Sequence, residues 1–267
     1  MRIALVTETY PPEVNGVAMT LGRLVDGLAQ RGHAVEIVRP RQPGDTAQSG
    51  ANAGAQAPAP QPTATGVRHL PLPGVPIPRY EGLRMGLPAR GRLLKHWRAH
   101  PPGIVHIATE GPLGLTAMLT ARKLGLPTSS SFHTNFHEYG RHYGYGLLKN
   151  RVIAYLRWVH NQAGVTLVPS TDVRDRLAGD GFERVDVLGR GVDTELFSPA
   201  RRSEALRQQW GVAEGALVVA YVGRVAEEKN LPLAVAAFRA IQRQAPEARM
   251  VLVGDGPARP KLEREHP

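Results

Sequence analysis

The sequence predicts an α/β protein with two doubly wound, Rossmann-like domains, each built on a parallel sheet. Short apolar segments alternate with amphipathic segments of helical length along the whole chain. Apolar strands between helices are typical of parallel sheets that helices cover on both faces. The 267 residues are enough for about two domains of roughly 150 residues each.

The predicted strands are short runs of mostly apolar residues: Arg2–Thr7, Val35–Arg39, Ile104–Ala108, Thr128–Phe132, Val165–Pro169, Val185–Leu188, Leu217–Gly223 and Arg249–Val253. Apolar residues at helical spacing fall between these strands. They predict helices at Val17–Gln30, from about Ala89, and at Gly114–Lys123, Leu147–Gln162, Ser203–Trp210, Leu231–Gln244 and Ala258–Glu265.

Two segments interrupt this alternation. Pro43–Thr65 is an Ala, Gly, Gln, Pro, Ser and Thr tract with almost no charge and no large apolar residue. Such a tract buries too little surface to offset chain entropy, so we predict a flexible loop, either a lid or an insertion without a role. The turn at Asp193–Ala200 predicts the domain boundary, with residues 1–195 before it and 196–267 after it.

Composition excludes several classes of protein. The chain has no cysteine, which excludes a disulfide framework, a thiolate metal site and a cysteine nucleophile. The N-terminus lacks the pattern of a signal peptide, and no window reaches the roughly 18 apolar residues of a membrane span. We therefore predict a cytoplasmic location.

The formal net charge of +10 favours anionic partners such as nucleotides and anionic lipid. Zinc-finger spacing, an aromatic RNA-binding strand and a basic region before heptads are all absent from the sequence, so we predict no nucleic-acid partner.

The most informative segment is Val222–Asn230, which follows an apolar run. Arg224 and Lys229 bracket a short loop at the carboxyl end of this predicted strand, and Asn230 lies where the next helix needs an N-cap. Two cations beside a helix N-terminus form a site for a diphosphate. Fixed cations there would stabilise the charge that grows on a leaving diphosphate. The alternative is a solvated, charged loop before a helix.

Other candidates also follow predicted strands. Glu110 comes after Ile104–Ala108 and could bind acceptor hydroxyls, orient a histidine or compensate the dipole of the next helix. His133 ends Thr128–Phe132, at the sheet edge where ligands bind, although a lone histidine is more often structural. The spacing of His133 and His137 fits a metal pair only on a helix, and no acidic third ligand is well placed, so we predict no metal site.

Ordered motifs along the chain resemble family 4 of the retaining glycosyltransferases, which has the two-domain GT-B fold. In sequence order, they are Pro11–Val17, Phe132–Phe136, Gly191–Asp193, Val222–Asn230 and Val253–Pro257. The segments Ser131–Phe136 and Arg141–Gly144 look most like those of bacterial GDP-mannose-dependent α-mannosyltransferases. The resemblance implies metal-independent transfer of a hexose from a nucleotide sugar, with GDP-mannose favoured over a UDP-sugar, to a lipid or glycan hydroxyl.

The resemblance also implies roles for individual residues. His133 would contact the donor sugar, and its carbonyl would stabilise the developing oxocarbenium. The donor pyrophosphate would lie against Asn15, Gly16 and Val17. Taken without the resemblance, this segment is an ordinary strand-to-helix turn. The nucleotide side of the cleft would be formed by Gly254, Asp255 and Gly256, although a tight turn that needs glycine dihedrals explains them too. Asp193 would lie near the donor or only cap the following turn.

Members of the family carry a Glu-x7-Glu segment beyond the Gly-Asp-Gly-Pro turn, which binds the donor sugar and ribose. The chain stops at Pro267, so we expect the second domain to be incomplete. A truncated GT-B protein that binds without turnover and a nucleotide-sugar epimerase therefore remain alternatives to the transferase.

A basic segment predicts contact with membrane. In Arg84–His100, Leu93, Leu94 and Trp97 share one helical face that basic residues flank. This is the pattern of an interfacial helix with a Trp anchor, and also of a helix packed on its own sheet with a basic solvent face. The same region of phosphatidylinositol mannosyltransferases, which this chain resembles, docks on membrane. The resemblance therefore implies peripheral attachment of this chain to the inner face of the plasma membrane. Leu147–Gln162 is a second candidate for this role.

Overall fold

The chain folds into two units, which meet in sequence between Arg190 and Gly191. A computed structural model describes residues 1–13, 15–42, 45, 66–77, 83–133 and 149–265. The predicted loop Pro43–Thr65 lies outside the described residues except for Asp45, and so do His137 and residues 141–144.

The first unit contains a seven-stranded sheet in the order β3-β2-β1-β6-β7-β8-β9, in which every neighbouring pair is parallel. An antiparallel hairpin, β4–β5, accompanies it. The strands are β1 (Arg2–Val6), β2 (Ala34–Pro40), β3 (Val67–Leu72), β4 (Gly74–Pro76), β5 (Arg84–Gly86), β6 (Ile104–Ile107), β7 (Thr128–Ser131), β8 (Val165–Val168) and β9 (Val185–Val187).

Helices cover both faces of this sheet. On one face, α1 packs on Leu5 and Ile37. On the other face, α2 and α3 pack on Val6 and Ile107, and α4 packs beside them on Val168. These helices and the one that follows are α1 (Gly16–Gln30), α2 (Arg90–Ala99), α3 (Pro112–Lys123), α4 (Lys149–His160) and α5 (Thr171–Gly179).

The direction of the chain reverses between β1 and β6. Strands β1, β2 and β3 progress towards one edge of the sheet, whereas β6 to β9 progress towards the other edge. In open α/β sheets, ligands bind at such a switch point, outside the carboxyl ends of the strands. The loops that follow β1, β6 and β7 therefore delimit the candidate site.

The second unit contains a parallel pair of strands and short helical segments. Its elements are α6 (Glu204–Gln209), β10 (Val218–Val222), α7 (Leu231–Gln242), β11 (Arg249–Val253) and α8 (Arg259–Glu265). A 3₁₀ turn, Glu227–Lys229, joins β10 to α7.

The structure corrects the prediction that Asn230 caps α7. Asn230 precedes the helix, but its side chain makes no capping hydrogen bond, and its backbone is left-handed with φ 49°. Its N–H donates to the Glu227 carbonyl at 3.0 Å. Asn230 thus ends the 3₁₀ turn, which is a role that asparagine fills because its side chain tolerates the left-handed region.

The structure also corrects the prediction of a Trp anchor on α2. Trp97 is 1% exposed and Leu93 is fully buried, and both belong to the core under the sheet. The exposed side of α2 is basic, with Arg90, Arg92, Lys95 and Arg98. The helix α2 therefore packs on its own sheet and presents a basic face to solvent.

Candidate functional site at the carboxyl edge of the first sheet

The loop after β1 ends in a capped helix. Asn15 Oδ1 accepts hydrogen bonds from the N–H groups of Val17 and Ala18 at 3.1 and 2.9 Å, and Asn15 Nδ2 donates to Thr9 Oγ1 at 2.7 Å. The Val17 side chain packs on the α1 core. Asn15 caps the helix and Val17 packs in its core, so both residues have structural roles here. The Gly16 N–H has no hydrogen-bond acceptor among the described residues. Gly16 is exposed, and a Cβ there would meet nothing within 4 Å.

Glu8 lies at the switch point between β1 and β6. Its N–H donates to Thr109 Oγ1 at 2.9 Å. Its Oε1 is buried, and among the described residues it has no hydrogen-bond partner. Burial raises the pKa of Glu8 to about 7, and the Glu110 charge makes a smaller contribution in the same direction. The backbone N–H groups of Leu113 and Gly86 lower this pKa and offset part of the rise.

The Glu8 carboxyl also explains Gly111, the N-cap residue of α3. Gly111 supplies no capping side chain, and a Cβ there would overlap the Glu8 carboxyl group. The backbone N–H of Leu113, in the first turn of α3, instead interacts with the Glu8 carboxyl and lowers its pKa. A carboxyl from the loop after β1 thus lies at the N-terminus of α3, which is where a helix favours negative charge.

Glu110 belongs to a buried hydrogen-bonded chain. Glu110 Oε1 lies 2.9 Å from His160 Nε2, and Ser130 Oγ lies 2.9 Å from His160 Nδ1. Tyr155 OH donates to the Glu110 carbonyl at 2.7 Å. The His160 side chain is fully buried, and that of Glu110 is 9% exposed. Of the roles predicted for Glu110, orienting a histidine is therefore present in the structure, and the histidine is His160.

His133 belongs to a second chain on the other face of the sheet. Its Nε2 lies 2.7 Å from Ser131 Oγ, which lies 3.1 Å from His106 Nε2. His106 Nδ1 lies 2.9 Å from Ser129 Oγ. His133 thus stands at the carboxyl end of β7 on a support of buried polar groups.

Burial keeps both of these imidazoles neutral near pH 7. Burial lowers the pKa of His133 to about 4, with Arg190 and His160 acting in the same direction and Glu110 against them. Burial and the neighbouring His133 lower the pKa of His106 to about 4. Glu110 and His133 are therefore close enough to interact electrostatically, as their places at adjacent strand ends predict.

In the second unit, the turns after β10 and β11 are in contact. Val225 N–H donates to the Asp255 carbonyl at 2.9 Å, and Ala258 N–H donates to the Val225 carbonyl at 3.0 Å. A Cβ at Gly254 would overlap the Gly223 carbonyl, and one at Gly256 would overlap the Val225 carbonyl. Both glycines have positive φ, 145° and 156°, so close packing and backbone conformation explain them.

The candidate cations are on the surface of this unit. Arg224 and Lys229 are exposed, and the Asp255 side chain is 81% exposed. The Arg224 carbonyl accepts a hydrogen bond from Tyr221 OH at 2.9 Å. At the unit boundary, Asp193 Oδ1 accepts from the N–H groups of Glu195 and Leu196, which is the capping role considered for it.

Sequence reasoning missed four of the residues that build this site: Glu8, His106, Ser131 and His160. Signals for them exist in the sequence. Glu8 follows an apolar strand directly, and Ser129–Ser131 place consecutive hydroxyls in a strand predicted to be buried on both faces. Buried hydroxyls need partners, which points to polar side chains on neighbouring elements.

Comparison with solved structures identifies the fold class. The catalytic domain of starch synthase IV from Arabidopsis thaliana, solved with ADP and acarbose, matches with a TM-score of 0.60 at 17% sequence identity. The match covers 99% of this chain and 70% of that chain. Together with the seven-stranded parallel sheet, such neighbours confirm the predicted GT-B fold class.

Sequence profiles then give the family. Glycosyltransferase Family 4 matches residues 14–196, and Glycosyl transferases group 1 matches residues 202–266. The chain therefore belongs to Glycosyltransferase Family 4, as the motifs predicted.

Two curated relatives illustrate the family. The GDP-mannose-dependent alpha-mannosyltransferase of Mycolicibacterium smegmatis is 35% identical over 264 residues, which are 98% of this chain and 65% of that protein. The alpha-monoglucosyldiacylglycerol synthase of Streptococcus pneumoniae is 28% identical over 96% of this chain and 56% of its own length. The chain thus spans about two thirds or less of the length of these relatives.

Proposed function

We propose that the chain is a retaining glycosyltransferase that moves a hexose, with mannose favoured, from a nucleoside-diphosphate sugar to a lipid-linked or glycan hydroxyl. The observation that carries this proposal is the near-complete alignment with a relative whose name states GDP-mannose dependence and mannosyl transfer. The name of the second relative, a diacylglycerol glycoside synthase, supports a lipid acceptor.

The carboxyl edge of the first unit supplies groups suited to this chemistry. His133 is neutral near pH 7 because burial lowers its pKa to about 4, so it can hydrogen-bond a sugar oxygen without repelling a developing oxocarbenium. Its carbonyl is the proposed stabiliser of that charge. Glu110, held by His160, is the proposed group on the acceptor side. The exposed N–H of Gly16, at the N-terminus of a 15-residue helix, favours an anion such as the donor diphosphate.

The second unit is proposed to act on the leaving group. As the bond from the sugar carbon to the phosphate oxygen breaks, negative charge grows on the nucleoside diphosphate. Arg224 and Lys229 are exposed cations, and we assign them to this charge. The acceptor oxygen forms the new bond on the face that the leaving group vacates, and its proton passes to the departing phosphate oxygen. This route retains the anomeric configuration without an enzymic nucleophile.

The acceptor proposal includes attachment to an anionic membrane. No described helix is both long and apolar enough to cross a membrane. The three helices α2, α3 and α4 form one layer on the sheet and contain no Asp or Glu. Exposed Leu119 and Trp158, at 39% and 47%, add apolar contacts to their basic side chains. A cationic surface with an exposed Trp is suited to lipid head groups.

A transfer assay tests the proposal. The full product of the gene is incubated with labelled GDP-mannose and a lipid extract, with UDP-glucose as the comparison donor and with EDTA present in parallel. We expect mannosylated lipid with the α configuration, formed equally in EDTA, and a loss on the order of 10²-fold for His133→Ala. Donor binding without any transfer, across donors and acceptors, would favour the non-catalytic alternative instead.

A further inference from the structure

Strand β7 carries three consecutive serines that serve two buried imidazoles. Ser129 and Ser131 point to one face of the sheet and hydrogen-bond both ring nitrogens of His106, whereas Ser130 points to the other face and bonds His160. His106 is 7% exposed and His160 is 1% exposed. Three hydroxyls in the middle of a parallel sheet are unusual, since such strands are ordinarily apolar.

The hydroxyl of Ser131 is shared between two rings. It lies 3.1 Å from His106 Nε2 and 2.7 Å from His133 Nε2. Among the described residues, Ser131 Oγ has no other hydrogen-bond partner, so its single proton goes to one of these nitrogens and the oxygen accepts from the other. Both rings are neutral near pH 7, and each therefore carries one N–H. The positions of the protons on His106 and His133 are consequently coupled through Ser131.

Hydrogen-bond satisfaction selects one of the two proton arrangements. Among the described residues, the only hydrogen-bond partner of Ser129 Oγ is His106 Nδ1. If Ser129 donates its proton there, His106 carries its own proton on Nε2 and donates to Ser131 Oγ. Ser131 then donates to His133 Nε2, and His133 carries its proton on Nδ1. The reverse order would leave the buried Ser129 hydroxyl proton without an acceptor, which is costly.

We propose that Ser131, backed by His106 and Ser129, is a positioning residue that holds the His133 ring with its proton on Nδ1 and its Nε2 as an acceptor. This inference deepens the proposed function, on which its catalytic consequence rests. An Nδ1–H directed away from Ser131 gives the site a neutral donor for a ligand oxygen. The same serine restricts rotation of the ring, because Nε2 is hydrogen-bonded to a strand residue of the sheet.

The proton positions can be measured without any substrate. Long-range ¹H–¹⁵N spectra of the ¹⁵N-labelled full chain separate protonated from unprotonated imidazole nitrogens, and a His133→Gln variant assigns the His133 signals. We expect an unprotonated Nε2 in the wild type. Ser131→Ala should give a mixture of both His133 tautomers, and Ser131→Thr, which keeps the hydroxyl, should restore the wild-type signals.

Two further variants test the coupling of proton positions along the hydrogen-bonded series from Ser129 to His133. Ser129→Ala removes the donor to His106, so it should shift His133 towards protonation on Nε2 although Ser131 is intact. Ser130→Ala, on the other face of the same strand, should leave the His133 signals unchanged. A wild-type His133 with its proton on Nε2, or Ser129→Ala and Ser131→Ala spectra that match the wild type, would overturn the proposal.

Kinetics separate this inference from the proposed function. If the wild type transfers mannose, Ser131→Ala should lose about tenfold in kcat with an unchanged KM for the donor, as the loss of one neutral hydrogen bond implies. Ser131→Thr should recover the wild-type kcat. A wild type without transfer, but with the predicted proton positions, would refute the function and leave the positioning role intact. An active wild type with an equally active Ser131→Ala variant would refute the role alone.

Discussion

At the residue scale, Glu8 is the group whose chemistry depends most on its surroundings. It lies at the switch point of the sheet, with one carboxyl oxygen buried without a partner among the described residues. Its pKa rises from 4.5 to about 7. The folded state therefore binds the Glu8 proton more tightly than the unfolded state does. The resulting stabilisation is complete below about pH 4.5 and is lost as the pH rises through about 7.

Glu8→Gln should remove this pH dependence. Between pH 5 and 8, the free energy of unfolding of the variant should rise relative to that of the wild type by roughly 2 kcal/mol, because glutamine does not ionise. Denaturant unfolding at several pH values measures the difference. Glu214→Gln, at an exposed turn, is the control and should run parallel to the wild type. A constant offset between Glu8→Gln and the wild type would show that Glu8 does not titrate in this range.

Arg224 and Lys229 carry the second prediction at this scale. If they stabilise the leaving diphosphate, Arg224→Ala and Lys229→Ala should each lower the rate of transfer on the order of 10²-fold. The measurement is turnover with the full gene product at saturating acceptor. Arg243→Ala removes an exposed cation from the opposite end of α7 and should leave the rate unchanged. Turnover of the first two variants at the level of Arg243→Ala would contradict the assignment.

At the element scale, the contact between the turns after β10 and β11 depends on glycine. Gly254→Ala places a Cβ against the Gly223 carbonyl at a φ of 145°, so it should lower the free energy of unfolding of the second unit by about 2 kcal/mol or more. Hydrogen exchange of the β10 and β11 amides measures this loss of stability. Gly191→Ala is the matched control, since its Cβ meets nothing within 4 Å. Equal exchange in the two variants would show that the turns can separate without cost.

The two tryptophans of the α2–α4 layer provide another contrast between elements. Trp97 on α2 is buried in the core, whereas Trp158 on α4 is 47% exposed. Trp97→Ala should cost about 3–5 kcal/mol of stability, and Trp158→Ala less than about 0.5 kcal/mol. Thermal or denaturant unfolding compares them directly. A large loss of stability for Trp158→Ala would mean that this ring packs in the interior and cannot serve as a membrane contact.

At the scale of the whole molecule, charge is unevenly distributed. The net charge is +10, and the layer of α2, α3 and α4 contains no carboxylate side chain, whereas α5 contains Asp172 and Asp175. Like-signed charges on one face produce a field that attracts anionic surfaces and that salt screens.

This layer should bind vesicles that contain anionic lipid and not purely zwitterionic vesicles. Replacing both Arg92 and Lys95 with Glu should abolish sedimentation with the vesicles, and raising the salt concentration to about 1 M should weaken it in the wild type. Replacing both Arg201 and Arg202 with Glu makes the same change of charge in the second unit and is the control. Equal loss in both double variants would indicate attraction by net charge rather than by this face.

The sequence alone determined the fold class, most strand positions and the family, because these depend on local patterns. Apolar runs predicted β1, β2 and β6 to within a residue or two at each end. The edge strand β3 was missed because it contains Arg68, His69 and Pro71, which a strand at the sheet edge tolerates. The helix α5 was missed as well, since its nine residues carry little apolar pattern.

Only the tertiary structure decided what individual polar residues do. The pattern on α2 fitted a membrane face and a core face equally well, and the position of the sheet made Trp97 part of the core. The imidazole that Glu110 holds comes from α4, and the imidazole that shares Ser131 with His133 comes from β6. Both are distant in sequence from these two residues, so no local motif could assign them. Local patterns specify which elements form, whereas hydrogen bonds and burial between elements specify the chemistry, because they depend on which strand ends the parallel sheet brings to one edge.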